Sequence, residues 1–106
     1  PLPRSQEVLI VAGEFMVDPD RREDFLAGRQ ETMEVSRGED GCHEYVFSAD
    51  PLVPGRVLLF ERWESQAALD AHLAALRGRS GSGGPQVEVH SSSITIYEVA
   101  GERRLG

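Results

Sequence analysis

The chain has 106 residues and a formal charge of −7, because Asp and Glu outnumber Lys and Arg by 18 to 11. With 40% apolar and 27% charged residues it has the composition of one ordinary folded domain rather than a disordered segment. The acidic balance argues against a surface that grips a nucleic-acid backbone, and no apolar run reaches the roughly 18 residues that cross a bilayer. No basic-then-apolar leader opens the sequence, and Cys42, the one cysteine, cannot close an internal disulfide, so a cytoplasmic protein is expected. The first residue is Pro1 rather than Met, so a few native residues are expected to precede it.

The first apolar block, Val8 to Ala12 and on through Phe15, Met16 and Val17, is rich in β-branched and aromatic residues and reads as a strand. Asp18-Pro19 stops it and offers an N-cap followed by a proline in the first helical position. A helix is expected from Asp20 to about Arg37, with Phe25, Leu26 and Met33 on one side and Gly28 as its weak point. Gly38 and Glu39-Asp40-Gly41 end that helix. A second strand, Cys42 to Phe47, and a third, Arg56 to Trp63, flank Asp50-Pro51 and Pro54-Gly55, which marks an antiparallel hairpin. Ser65 caps a second helix from Gln66 to about Arg77, in which Leu69, Leu73 and Leu76 have the spacing of a buried stripe and His72 lies on or beside it. Residues 77–85 form a Gly/Ser-rich connector, by default a floppy link and in a minority reading a lid, before a last strand from about Val87 to Val99.

The order β-α-β-β-α-β predicts an α+β, ferredoxin-like domain over residues 7–100, with tails at 1–6 and 101–106. It is an antiparallel four-stranded sheet with both helices on one face. Such strands should alternate apolar with polar, yet Val8, Ile10 and Ala12 oppose Leu9, Val11 and Phe15, and Val57, Leu59 and Trp63 oppose Leu58 and Phe60. A sheet apolar on two faces needs a second cover, so a homodimer closing an α+β barrel is expected.

Most catalytic signatures are absent. Gly81 to Gly84 follow a helix and precede a strand, the wrong context for a phosphate loop. No CxxC or HExxH occurs, and His43, His72 and His90 lie on three different elements, so no metal is expected. No evident base accompanies Cys42 or the serines. The informative stretch is Glu61 to His72. Glu61 and Trp63 share a strand face, and if that face meets the helices they converge with His72 on a gap suited to a small organic ligand. The blander readings are a core tryptophan, a core-edge histidine with one satisfied nitrogen, and a glutamate paired with an Arg of the first helix or of a partner subunit. Tyr45 and Phe47 share a face with His43 and read as packing aromatics.

Glu61, Trp63, Ser65, Leu69 and His72 match, position by position, the E-x-W-x-(S/D)…L-x-x-H pattern of the antibiotic biosynthesis monooxygenase (ABM) family, which the chain resembles in element order over residues 7–100. The resemblance implies a dimeric α+β barrel holding a small aromatic molecule between sheet and helices. Some members oxygenate polyketide anthrones or quinols with O₂ and neither metal nor flavin, so no cofactor is expected. Others open haem with an Asn of the first strand together with the Trp and His, but this sequence contains no Asn. Beyond His72 the family continues with more helical, aromatic-containing sequence, where this chain turns to Gly and Ser.

The expected activity is oxidation of an aromatic polyketide or quinol-type substrate, with His72 transferring a proton and Trp63 stacking on the ring. Glu61 would orient a base or anchor a cation, Tyr45 would hydrogen-bond a carbonyl, and Leu59, Leu69, Leu76 and Phe25 would line the slot. The alternatives are a non-catalytic, stress-associated barrel that binds a small aromatic compound, and haem binding through His72.

Overall fold

The computed structural model describes residues 7–79 and 86–106. Its strands are β1 (Leu9–Val17), β2 (Cys42–Ala49), β3 (Arg56–Trp63) and β4 (Val89–Glu98). They form one sheet in the order β2-β3-β1-β4, with every neighbouring pair antiparallel. A 3₁₀ turn (Pro19–Arg21), α1 (Arg22–Ala27) and α2 (Gln30–Arg37) connect β1 to β2, and α3 (Gln66–Gly78) follows β3. The ferredoxin-like α+β fold expected from the element order is the fold observed. The expected N-terminal tail and most of the Gly/Ser connector lie outside the described residues. No described helix is long and apolar enough to cross a membrane.

The first helix is not continuous. It breaks at Gly28 and Arg29, where the Gly28 amide still reaches Asp24 O at 3.0 Å but Arg29 takes φ −99° and ψ −6°, and a new helix begins at Gln30. The caps are as the sequence suggests. Asp18 accepts the Asp20 amide with Pro19 behind it, and Ser65 Oγ accepts the Ala68 amide at 3.2 Å.

Leu9, Val11, Val17, Tyr45, Phe47, Val57, Leu59 and Trp63 bury themselves beneath the helices together with Phe25 and Leu69. The stripe on α3 differs from the leucine spacing. Leu69 and His72 are buried and Leu73 is 37% exposed, since Leu73 and Leu76 border an open cavity rather than packed core. The opposite sheet face carries Ile10, Ala12, Leu58 and Phe60 with Tyr97 of β4, and no described helix covers it. Phe60 and Tyr97 remain 38% and 54% exposed.

The β2–β3 register slips between Cys42 and Glu44. Cys42 therefore pairs with Trp63, and Tyr45 with Glu61, while His43 is the extra residue of a bulge and points to solvent. Strict alternation, which puts His43 on the face of Tyr45 and Phe47, fails at this bulge. Gly41 makes it possible. Its φ is +82°, a Cβ there would meet the Ala68 Cβ at 2.5 Å, and its carbonyl accepts the Glu64 amide at 2.7 Å.

Candidate functional site

A cavity of about 360 Å³ opens between the sheet and the helices, near the low end of the roughly 300–1,000 Å³ of small-molecule pockets. Apolar side chains from β1, β3, α3 and β4 make most of its wall, and Glu61, His72, Tyr45, Arg29 and Thr32 supply its polar groups. Leu59, Leu69 and Leu76 line it, together with Glu61, Tyr45 and His72.

Trp63 and Phe25 do not. The Trp63 ring is fully buried behind the wall, stacked at 34° on the His72 ring with centroids 4.6 Å apart. Its indole N–H donates to Glu61 Oε1 at 2.8 Å. Direct stacking of Trp63 on a bound ring is therefore excluded by this geometry; the indole fixes the two residues that do reach the cavity. Phe25 stands behind Phe15 and Phe47, at centroid distances of 5.5 and 6.3 Å. The aromatic rings on the wall are Phe15, Phe47 and Tyr45.

Glu61 is 5% exposed, and its partner is the Trp63 indole two residues along the same strand, not the arginine that a buried carboxylate suggests. Burial pushes its carboxyl above the usual glutamate range, against the smaller opposing effects of the Trp63 hydrogen bond and the nearby His72. Burial and the charge of Glu61 push the Tyr45 phenol well up, so it stays a neutral donor. His72 is 2% exposed, and its Nδ1 lies 2.6 Å from Glu39 Oε1. A carboxylate at that distance accepts from Nδ1–H and fixes the orientation of the ring, which borders the cavity.

Glu39, Arg29 and Thr32 are site residues that sequence reasoning missed. Phe25, Arg29, Thr32 and Ser36 fall at i, i+4, i+7 and i+11, so polar residues in helical register with a core phenylalanine were the available signal. Glu39 had no such signal, since it sits in the loop before β2.

Among the described residues no group of three His, Cys, Asp or Glu side chains is placed to hold a metal ion, and His43 and His90 are both exposed. Burial, with the charge of Glu39 adding to it, pushes the Cys42 thiol up, away from the thiolate that a nucleophile needs.

Comparison with known proteins gives this site a setting. The family model described as "Antibiotic biosynthesis monooxygenase" matches residues 8–76. The chain is 33% identical over 102 residues to the uncharacterized protein sll1783 of Synechocystis sp., covering 95% of this chain and 69% of the relative. It is 41% identical over 64 residues to Rv0793 of Mycobacterium tuberculosis, named a "putative monooxygenase", covering 58% of this chain and 60% of that protein. The solved structure of Rv0793 superposes with a TM-score of 0.64 over 92% of this chain and 99% of that one. A Deinococcus radiodurans structure superposes with a TM-score of 0.75 at 24% identity, covering 92% of this chain and 98% of its own, and so shares the fold. Together with the strand-to-helix motif carrying Glu61, Trp63 and His72, the match over residues 8–76 places this chain in the antibiotic biosynthesis monooxygenase family.

Proposed function

We propose that the protein is a cofactor-independent monooxygenase that oxidises an aromatic polyketide or quinol-type substrate with O₂, working as a homodimer. The observation that carries the reading is the pair of proton-transfer groups, Glu61 and His72, on the wall of one apolar cavity of about 360 Å³.

An anthrone illustrates the chemistry. His72 Nε2 or the Glu61 carboxylate takes a proton from the ring CH₂, and the delocalised carbanion passes one electron to O₂. The resulting radical and superoxide combine, forming a C–O bond, and the proton returns to give a hydroperoxide. Loss of the second C–H proton with cleavage of the O–O bond leaves a carbonyl and one water, so the CH₂ group is oxidised by four electrons and O₂ is reduced by four. The chain's task is to exclude water, orient the ring against Phe15, Phe47 and Tyr45, and hold the proton. Tyr45 donates to the substrate oxygen, while Trp63 and Glu39 keep Glu61 and His72 in place.

The residues do not fit the haem alternative, since the cavity is small for a macrocycle with its propionates and the sequence has no Asn. The homodimer rests on the apolar sheet face around Leu58, Phe60 and Tyr97 that no described helix covers.

Oxygen uptake on a panel of anthrones and hydroquinones tests the activity. Wild-type uptake that falls roughly 10²- to 10⁴-fold in His72→Ala supports it, the usual weight of one acid–base group. Binding without any uptake makes the protein a non-catalytic binding module instead, and full uptake by His72→Ala removes the role given to that residue.

A further inference from the structure

Arg29 stands on the wall of the same cavity, with Thr32 one turn further along the helical path. Its guanidinium carbon lies 4.8 Å from the centroid of the Phe25 ring, and its Nε is buried with no hydrogen-bond partner. No carboxylate or carbonyl among the described residues takes any of its side-chain N–H groups. Most other arginines between β1 and α3 are occupied, and Arg77, which has no partner among the described residues, is exposed to solvent on α3. Arg56 holds Glu14 at 2.6 Å and Asp50 at 2.9 Å, Arg79 holds Glu31 at 2.6 Å, and Arg37 donates to Tyr45 O at 2.8 Å. Acidic side chains outnumber basic ones by 18 to 11, so Arg29 does not lack a partner for want of carboxylates. Glu61, the carboxylate of this cavity, accepts the Trp63 indole N–H at its Oε1.

A guanidinium keeps its charge at any ordinary pH, and its fork of N–H donors is costly to desolvate without an acceptor. Directly after the break at Gly28, Arg29 borders a chamber whose wall is otherwise mostly apolar. We propose, building on the cavity as the substrate site, that Arg29 binds an anionic oxygen group of the ligand, so that the substrate is an aromatic acid or a phenolate rather than a neutral ring. A carboxylate would take the fork in a bidentate pair, and an ionised phenol would take one arm. The Thr32 hydroxyl supplies a second donor at that end. The same charge favours the deprotonated substrate, the form that gives an electron to O₂ most readily.

The test is calorimetric binding of two probes with the same ring system, 1-hydroxy-2-naphthoate and 1-naphthol, near neutral pH. Wild-type protein is expected to bind the carboxylate about tenfold or more tightly than the neutral naphthol. Arg29→Gln brings that ratio to about one, and Arg29→Lys, which keeps the charge and loses the fork, falls between. Equal affinities in the wild type, no binding of the hydroxynaphthoate, or a preference retained in Arg29→Gln overturns the assignment. Should circular dichroism show Arg29→Gln unfolded, full preference in Arg29→Lys overturns it. The outcomes separate from those of the oxygenase reading: an Arg29-dependent preference with no oxygen uptake from any quinol leaves the anion site and removes the oxygenase, and uptake without the preference does the reverse.

Discussion

Glu39 Oε1 lies 2.6 Å from His72 Nδ1, so the loop between α2 and β2 holds an imidazole that projects from the middle of α3. The contact ties together two segments 33 residues apart and fixes the orientation of a ring that borders the cavity.

Removing that carboxylate leaves a buried ring nitrogen without a partner. Glu39→Ala is expected to destabilise the protein by about 1–3 kcal/mol, measured by urea unfolding. Glu39→Gln keeps an oxygen acceptor and should lose less than half of that. Equal stability in all three proteins would mean the imidazole finds water instead.

The raised Glu61 carboxyl makes a signed pH prediction. Between its unfolded and folded titration ranges the native state binds more protons than the unfolded state, so this group's contribution to stability falls as pH rises. Its penalty is absent below about pH 4.5 and grows above it. Glu61→Gln keeps an acceptor for the Trp63 indole and removes the titration. The variant should gain on the wild type as pH rises through the weakly acidic range, read from melting temperatures across a pH series; parallel curves would refute the burial argument.

Gly41→Ala forces a Cβ onto a φ of +82° and within 2.5 Å of the Ala68 Cβ. A destabilisation of about 2 kcal/mol or more is expected from the left-handed backbone and the overpacking together. The lost bulge would also disturb Tyr45 and Cys42, visible as a changed near-ultraviolet dichroism.

Phe60→Glu places a charge in the centre of the uncovered sheet face, opposite in direction to the cavity. Sedimentation should show the wild type as a dimer and the variant as a monomer, because a carboxylate cannot be buried there without a partner. A wild type that sediments as a monomer at micromolar concentration ends the dimer proposal.

The strand and helix pattern was legible because it depends on local chemistry. Asp18-Pro19, Ser65 and the turn residues near Pro54-Gly55 punctuate the chain wherever it folds, and β3 runs from Arg56 to Trp63 in both the pattern and the structure. The motif residues were legible too, since Glu61 and Trp63 are two apart on a strand and must share a face.

Only the tertiary structure decided which of them reach the cavity. Trp63 carries the largest side chain of the pattern and is sealed behind the wall by His72, while Leu73, 37% exposed, borders the cavity. The bulge at His43 adds a local rotation that periodicity does not encode, and it places Tyr45 opposite Glu61. The sequence by itself determined the elements, their order and the chemistry available. Long-range packing, which answers to the shape of every neighbour at once, determined which groups face one another.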